Sequence, residues 1–592
     1  MKSVILTGKN LNEINEVDRK MMRMSHLSKH RDVDEEGYLL HLQPQSQYSA
    51  VIDLQDDYDP FFYHHHNTDY MICFYGELYL TDKLKEELIS LGYCFQNYSD
   101  NEIVLLSYIE WKEECLNKLT GAYAFVIDEG TKLFIARDPM GIKPLFYYED
   151  TDGLVVSNQI KSILAYRNEA IVDENGIKEL LGLGPSVSPG RTVYKDIYSL
   201  RPAHYMYYNN SIRIKRYWSL QEHQHTDTCE DTLIKLRHLI EESTISMLDD
   251  KTCTMLSGGV DSTILTGIAS QNAHIETFSV TYKDQKEYFQ SYDYQTTMDD
   301  CYIEDAISLY QCTHHSLVLS ETDLINGLKD ALIKRDYPGM ADIDVSLMLF
   351  AKEMSKTHST CLSGECADEI LGGYPWFYKE ELYNLPHFPW MKELDYRLSL
   401  LHDDIKALNI HDYIINKYNE TLSEINTHDK AKQIMYLNME WFMPTLLCRC
   451  EAMTSSYLKV RVPFASTQIA EYLYNIPKDM IMLHNEEKGL LRISFSNLLP
   501  PSILHRKKNP YPKTHSPLYK ELICALLLES FNDSDNLLFK LFDHKKLYDL
   551  VEQKGETMTS PWFGQLMMGP QFIAYLYSIY LWGKIYHIQL QL

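Results

Sequence analysis

Two short clusters in this 592-residue chain combine the residue types that phosphate and carboxylate chemistry needs. The first, Ser257-Gly258-Gly259-Val260-Asp261-Ser262, follows a short apolar run from Cys253 to Leu256 and opens a helical pattern expected over Thr263 to Ala273. Glycines let the backbone approach an anion closely, and successive N–H groups at a helix start form a positive nest for phosphate. The turn lacks the GK[ST] ending of a Walker loop, so no lysine is placed for a γ-phosphate and hydrolysis to ADP is not expected. The second cluster is Ser363-Gly364-Glu365-Cys366-Ala367-Asp368-Glu369, followed by Leu371-Gly372-Gly373-Tyr374 and preceded by an expected strand from Ser359 to Leu362. Asp261 and Asp368 then fall at the carboxyl ends of parallel strands, where α/β sheets place their ligands. Two carboxylates there can share Mg²⁺ with a pyrophosphate, because Mg²⁺ prefers oxygen ligands and keeps substrate phosphates in its shell. Helix capping by Asp368 would leave the paired glycine-rich settings unexplained.

The elements that must position these residues are legible in the hydrophobic pattern. Over the first ~218 residues, short β-rich runs such as Tyr70 to Tyr79 and Gly121 to Ile127 alternate with turn clusters, which predicts an α+β domain with antiparallel sheets. From about residue 229 the pattern becomes strand, glycine-rich turn, long helix, with Thr277 to Val280 as the next strand, a βαβ signature that predicts a parallel sheet. Beyond Leu401 helical periodicity dominates, without internal repeat. The polar stretch Ser219 to Thr228 is the expected linker. His64, His65 and His66, with His223 and His225, sit on polar segments and are expected to be solvated rather than metal-bound.

Composition narrows the function classes. Hydrophobic residues make up 45% and charged residues 23%, a globular balance. With 83 acidic against 56 basic residues the formal charge is -27, which repels nucleic acid at long range and argues against it as a partner. The 12 cysteines show no paired metal-ligand spacing, which points to a reducing, cytoplasmic setting. No export signal is visible at the start of the chain. The apolar segment Phe572 to Trp582 falls short of the ~20 residues of a membrane span and is expected to be a buried helix.

The SGGVDS turn resembles the pyrophosphate loop of the ATP pyrophosphatases, which split ATP between the α- and β-phosphates. The wider chain resembles the asparagine synthetase family: YPGMADID (337–344), LSGECADEILGGYPWF (362–377), VRVPF (460–464), EKGLLR (487–492), RKKNPYPKTHSP (506–517) and PWFGQLM (561–567) occur in order. HRDVDEEGY (30–38), YGELY (75–79) and ARDPMGIKPLFY (136–147) are similar to its class II glutamine amidotransferase domain. The resemblance implies an α+β amidotransferase-like sandwich at residues 1–218. An α/β parallel-sheet domain of the adenine nucleotide alpha hydrolase type, with helical additions, is implied at 229–592. It further implies ATP and Mg²⁺. Leu256 and Val280 match adenosine contacts, Ser257, Gly258, Gly259, Asp261 and Ser262 the pyrophosphate grip, Ser363 and Gly364 further ATP contacts, and Asp261 and Asp368 the metal carboxylates. Lys488 matches the catalytic lysine, with Glu365 as its partner. A fixed ammonium suits the charge that builds on an adenylate under attack, and a carboxylate can accept the proton of the attacking amine. Arg506, Lys507 and Lys508 are expected either to clamp phosphates or to form a solvated charge run.

The front domain departs from the family pattern. A class II amidotransferase uses an N-terminal cysteine whose own amine is the base. Here the chain reads Met1-Lys2-Ser3-Val4, and Ser3 is no replacement. The glutamine-binding Arg of the family aligns with Tyr48, and its oxyanion-hole Asn with Tyr75, whereas Gly76, Glu77 and Asp100 remain. Loss of one oxyanion donor alone costs about 100-fold or more in rate. The expectation is an amide-forming ligase that adenylates an Asp- or Glu-like carboxylate, on a small molecule or a peptide, and passes it to ammonia or to an amine of the substrate. Alternatives are a lasso-peptide type cyclase, which would call for a leader-binding or protease partner, a glutamine-hydrolysing asparagine synthase, and a non-catalytic binding protein. Retention of Glu365 argues against a β-lactam-forming enzyme.

Overall fold

The computed structural model describes residues 3–8, 23, 47–52, 61–151, 153–292 and 294–592, the first 60 only as backbone apart from Arg23. The chain forms two compact units, Met1–Ile171 with Pro189–Ser219, and Val172–Ser188 with Leu220–Leu592.

The first unit is built on two antiparallel sheets. Its strands are β1 (Ser3–Gly8), β2 (Gln47–Ile52), β3 (Phe61–His65), β4 (Thr68–Leu78), β5 (Gly121–Asp128), β6 (Leu133–Arg137), β7 (Phe146–Glu149) and β8 (Leu154–Ser157). After β9 (Ile171–Asp173) come β10 (Tyr198–Ser199), β11 (His204–Tyr208) and β12 (Ile212–Arg216). One sheet runs β10-β7-β8-β1-β2 and the other β12-β11-β6-β5-β4-β3. Alternation along β4 serves two cores. Tyr70, Ile72 and Phe74 pack with helices Asp82–Ser90 and Asp100–Trp111, while Met71 and Cys73 meet Leu154 and Val156 of the other sheet. The antiparallel α+β pattern read from the sequence is thus realised as a helix layer on a two-sheet sandwich. The 136–147 block is a folded loop around buried Asp138, whose carboxylate accepts the N–H groups of Met140, Ile142 and Lys143 at 2.9–3.1 Å.

The second unit is organised by a parallel sheet, β15-β14-β13-β16-β17, formed by β13 (Thr252–Met255), β14 (Glu276–Tyr282), β15 (Thr313–Leu319), β16 (Thr360–Leu362) and β17 (Lys459–Arg461). Every neighbour pair is parallel, as the strand–turn–helix repeat predicts. Strand β13 is bonded to both β14 and β16. The two glycine-rich turns therefore leave adjacent strands at the same edge of the sheet. The helix after the first turn spans Val260–Asn272 rather than beginning at Thr263, because Gly259 takes the extended N-cap conformation and the motif itself supplies the first turn. The expected helix around Phe572 to Trp582 extends over Gly569–Tyr586 and is buried along much of its length, packed on Pro517–Ser530. No helix among the described residues is long and apolar enough to cross a membrane.

Candidate active site

Strand β13 ends at Met255, and Leu256 continues its pairing through an N–H donated to the Phe278 carbonyl at 2.8 Å. The chain then turns at Gly258, whose φ of +67° is costly for any other residue. A Cβ there would lie 2.7 Å from Tyr302 Cβ and 3.0 Å from the backbone N of Ile303, so glycine also permits close packing. Ser262 folds back to accept the Ser257 N–H at 3.2 Å. Arg506 clamps the turn from outside, donating to the carbonyls of Gly258 at 2.6 Å and Ser257 at 3.3 Å and pairing with Asp299. The clamp ties down the turn's carbonyls, and within the turn the N–H groups of Ser257 and Gly259 go to Ser262 Oγ and Ser257 Oγ, so the N–H groups suited to an anion are those at the start of helix Val260–Asn272.

The second turn approaches the first closely. A Cβ on Gly364 would come within 3.1 Å of Asp261 Cβ and of the Ser262 N. Cys366 takes a left-handed φ of +74° and caps the short helix Ala367–Ile370, which carries Asp368 and Glu369. A cavity of about 240 Å³ results, walled by Leu256, Ser257, Gly259, Asp261 and Ser262 from the first turn and by Ser363, Gly364, Glu365 and Asp368 from the second. Val280 of β14 and Lys488 complete the set. Gly258 acts through its backbone turn behind this surface. Apolar Phe278, Leu347 and Phe350 form a further part of the wall, suited to a flat ring.

Lys488 is placed by its own unusual backbone, with a φ of +56° at the start of helix Gly489–Ser494. Its ammonium lies 2.6 Å from Asp261 Oδ2 and pairs as closely with Asp368 Oδ1. Lys508 Nζ reaches Asp368 Oδ2 at 3.2 Å. Arg492, one turn after Lys488, donates to the carbonyls of Leu504 at 2.8 Å and Arg506 at 2.7 Å, tying the lysine-bearing helix to the 506–508 loop. The sequence reading paired Lys488 with Glu365; the structure instead sets Lys488 between the two aspartates and gives Glu365 to the buried Arg449, 3.7 Å away. Arg449 also holds Asp344 at 2.9 Å. Gly373 makes the lysine–aspartate pairing possible, since a Cβ there would fall 1.9 Å from Asp368 Oδ1 and 2.3 Å from Lys488 Cε.

Charge and burial compete at each group. Burial pushes the Asp261 carboxyl up from its ordinary value, opposed by Lys488. Burial acts the same way on Asp368, but Lys488 and Lys508 outweigh it and hold the carboxyl low. Lys488 is driven upward, because the two aspartates overcome the burial that disfavours its charge. Glu365 is raised by burial, with Arg449 only partly offsetting, and its Oε2 has no hydrogen-bond partner. Asp261 Oδ1 is likewise buried and unpartnered. Two carboxylates converging on one cation position, with an unused oxygen, fit a hard divalent ion that completes its shell with phosphate oxygens. Among the described residues no cluster of three or more His, Cys, Asp or Glu could hold a metal. His225 is occupied with Thr232 at 2.8 Å, and His64 with Asp69 at 2.7 Å.

Sequence reasoning did not single out Arg449 or Asp299, neither of which lies in a glycine-rich or otherwise marked segment, and it gave no role to Asp344, although that residue closes the YPGMADID block. It left Arg506 and Lys508 between two roles, and burial of Arg506 with the Lys508–Asp368 contact removes the solvated-run alternative for both, while Lys507 is exposed.

In the first unit, Tyr75 lies on β4, largely buried, with Lys143 Nζ 4.9 Å from its ring centre. Gly76 adopts φ +140°, and a Cβ there would strike the Ala122 carbonyl at 1.9 Å. Asp100 accepts the Leu78 N–H at 2.9 Å. Met1, Lys2 and the 30–38 block lie outside the described residues, and of Tyr48 only the backbone in β2 is described.

A glycine-rich turn opening a helix beside two carboxylates and the buried Lys488, at the carboxyl edge of a parallel sheet, is the arrangement of an α/β enzyme site, here preceded in sequence by an antiparallel α+β unit. Residues 235–572 match the family described as asparagine synthase and residues 5–218 a glutamine amidotransferase domain. The chain is 41% identical over 562 residues to a Bacillus subtilis protein named asparagine synthetase [glutamine-hydrolyzing] 3, covering 91% of each. It is 27% identical over 549 residues to asparagine synthetase [glutamine-hydrolyzing] 1 of the same organism, covering 83% of each. A Gallus gallus protein named asparagine synthetase [glutamine-hydrolyzing] is 23% identical over 470 residues, covering 74% of this chain and 71% of that one. The chain therefore belongs to the asparagine synthase family and is an ATP-dependent ligase.

Proposed function

We propose that the second unit joins nitrogen to the side-chain carboxylate of an aspartate-like substrate through an acyl-adenylate, releasing pyrophosphate and then AMP. The observation that carries this reading is the convergence of Asp261, Asp368 and Lys488 beside the SGGVDS turn, with no lysine where ADP-forming loops need one. The N–H groups at the start of helix Val260–Asn272 hold the departing phosphates. The substrate carboxylate attacks the α-phosphorus in line, and fixing that geometry supplies several kcal/mol of the barrier. Lys488 and Lys508 balance the charge that develops on the phosphates and on the carbonyl oxygen. Glu365, raised by burial and with one oxygen unpartnered, accepts the proton of the attacking amine. Asp261 and Asp368 would hold Mg²⁺, whose chemistry is to bridge and neutralise phosphate oxygens.

The nitrogen source we propose is ammonia rather than glutamine hydrolysed by the first unit. Tyr48 and Tyr75 stand where the amidotransferases it resembles carry the substrate-binding Arg and the oxyanion-hole Asn, and Tyr75 is packed under Lys143. Assaying full-length protein with aspartate, ATP and either ammonium or glutamine tests both halves. Ammonium is expected to yield asparagine, pyrophosphate and AMP, whereas glutamine yields no glutamate. Stoichiometric glutamate release would assign glutaminase activity to the first unit, and ADP formation would overturn the adenylate reading.

A further inference from the structure

Beyond balancing charge on the reacting groups, Lys508 pairs with one of the two aspartates before any substrate is present. Asp261 and Asp368 bring two negative charges into a largely buried space, and Lys488 and Lys508 bring two positive ones, at 2.6 Å for Lys488 with Asp261 and 3.2 Å for Lys508 with Asp368. Lys488 also pairs with the second aspartate. Their side chains are only 3% and 13% exposed, so solvent screens these pairs weakly. Lys508 further rests 5.1 Å from the Tyr374 ring centre, and its backbone N–H is bonded to Glu487. The two lysines do not move independently, because Arg492 bonds the helix that follows Lys488 to the carbonyls of Leu504 and Arg506.

We infer that Lys488 and Lys508 are built-in counter-cations for Asp261 and Asp368, so that the cleft excludes a free divalent ion and accepts one only together with the nucleotide. The inference rests on the reading of Asp261 and Asp368 as metal-binding carboxylates. A divalent ion added to the balanced cluster would leave two excess positive charges close together in a poorly screened space. A nucleotide triphosphate removes that penalty, since its phosphates give the ammoniums new partners while the carboxylates turn to the ion. Lys508 is on this account a positioning residue, holding the Asp368 carboxylate oriented at 3.2 Å until ATP arrives.

The test is Mn²⁺ binding to the full-length protein, measured by the electron paramagnetic resonance signal of the free ion, with and without α,β-methylene-ATP. Without nucleotide the wild type is expected to bind Mn²⁺ weakly. Lys488→Met and Lys508→Met should each tighten binding by about tenfold or more, while Lys488→Arg and Lys508→Arg, which keep the charge, remain weak. Circular dichroism confirms that each variant is folded, and the arginine pair preserves the test if a methionine variant is not. Wild-type binding of free Mn²⁺ as tight as binding in the presence of the analogue, or arginine variants that bind like the methionine ones, would overturn the inference while sparing the metal site. Absence of bound Mn²⁺ in every form even with the analogue, or indifference to Asp261→Asn, would instead overturn the metal reading on which it rests.

Discussion

Gly373 offers a perturbation whose effect follows from distances alone. An alanine Cβ at this position would stand 1.9 Å from Asp368 Oδ1 and 2.3 Å from Lys488 Cε, where ordinary contact begins at 3.4 Å. About 1.5 Å must therefore be made up by moving the aspartate, the lysine or both. The backbone of Gly373 is outside the left-handed region, so alanine strains the chain little, and the closest conflicts are with those two side chains. Overpacking of this kind costs about 1–3 kcal/mol of stability, while misplacing reacting groups by about 1 Å can cost about 100-fold in rate. Gly373→Ala is thus expected to lower kcat for ATP-dependent pyrophosphate release about 100-fold with a modest fall in Tm. Gly372→Ala is the matched control. Its φ of +69° and the Phe377 ring atom 2.3 Å from the added methyl direct the damage to stability instead. A Gly373→Ala protein with wild-type turnover would refute the placement of Lys488 between the aspartates.

Other substitutions probe separate parts of the site. Asp261→Asn is expected to abolish pyrophosphate release while circular dichroism stays unchanged, and undiminished release would remove Asp261 from the phosphate chemistry. Arg506→Met cuts the clamp on the Ser257 and Gly258 carbonyls, each a charged hydrogen bond worth about 1.5–3 kcal/mol; the KM for ATP is expected to rise about tenfold or more, and an unchanged KM would deny the clamp a role. Burial, assisted by the charge of Asp368, pushes Glu369 up to about 7, with Tyr374 bonded to it at 2.7 Å. The native chain keeps this proton between its ordinary value of 4.5 and about 7, where the unfolded chain has lost it, so stability falls as pH rises across that window. Glu369→Gln is expected to flatten this part of the Tm–pH profile, and an equally steep profile in the variant would count against Glu369 as its source.

Much of the fold was legible because the residues that shape it also carry the pattern. Short runs of β-branched and aromatic residues between turn clusters marked the antiparallel strands at 70–79 and 121–127, and apolar run, glycine-rich turn and helix marked β13 and β16. Both turns could be placed at the carboxyl edge of a parallel sheet in advance, where α/β sheets gather their ligands, but the direct pairing of β13 with β16 came only from the structure. What the pattern could not show was which charges meet. Lys488 was identified by its block, yet its partners depend on a left-handed backbone at that residue and on the missing side chain of Gly373, both settled by packing between segments more than 100 residues apart. Arg449 was invisible for the same reason: its partners Asp344 and Glu365 lie about 100 residues upstream, and no local spacing joins them. Glycine at 259 concealed the early helix start, because it serves there as an N-cap rather than as a break.

The central claim is that the substrate carboxylate is joined to the α-phosphorus of ATP in the second unit. Aspartate labelled with ¹⁸O in its side-chain carboxylate, turned over with ATP and ammonium, tests it most directly by mass analysis of the nucleotide product. The account requires ¹⁸O in AMP, one atom for each amide formed, and pyrophosphate free of label. Unlabelled AMP, or label in orthophosphate alongside ADP, would contradict it.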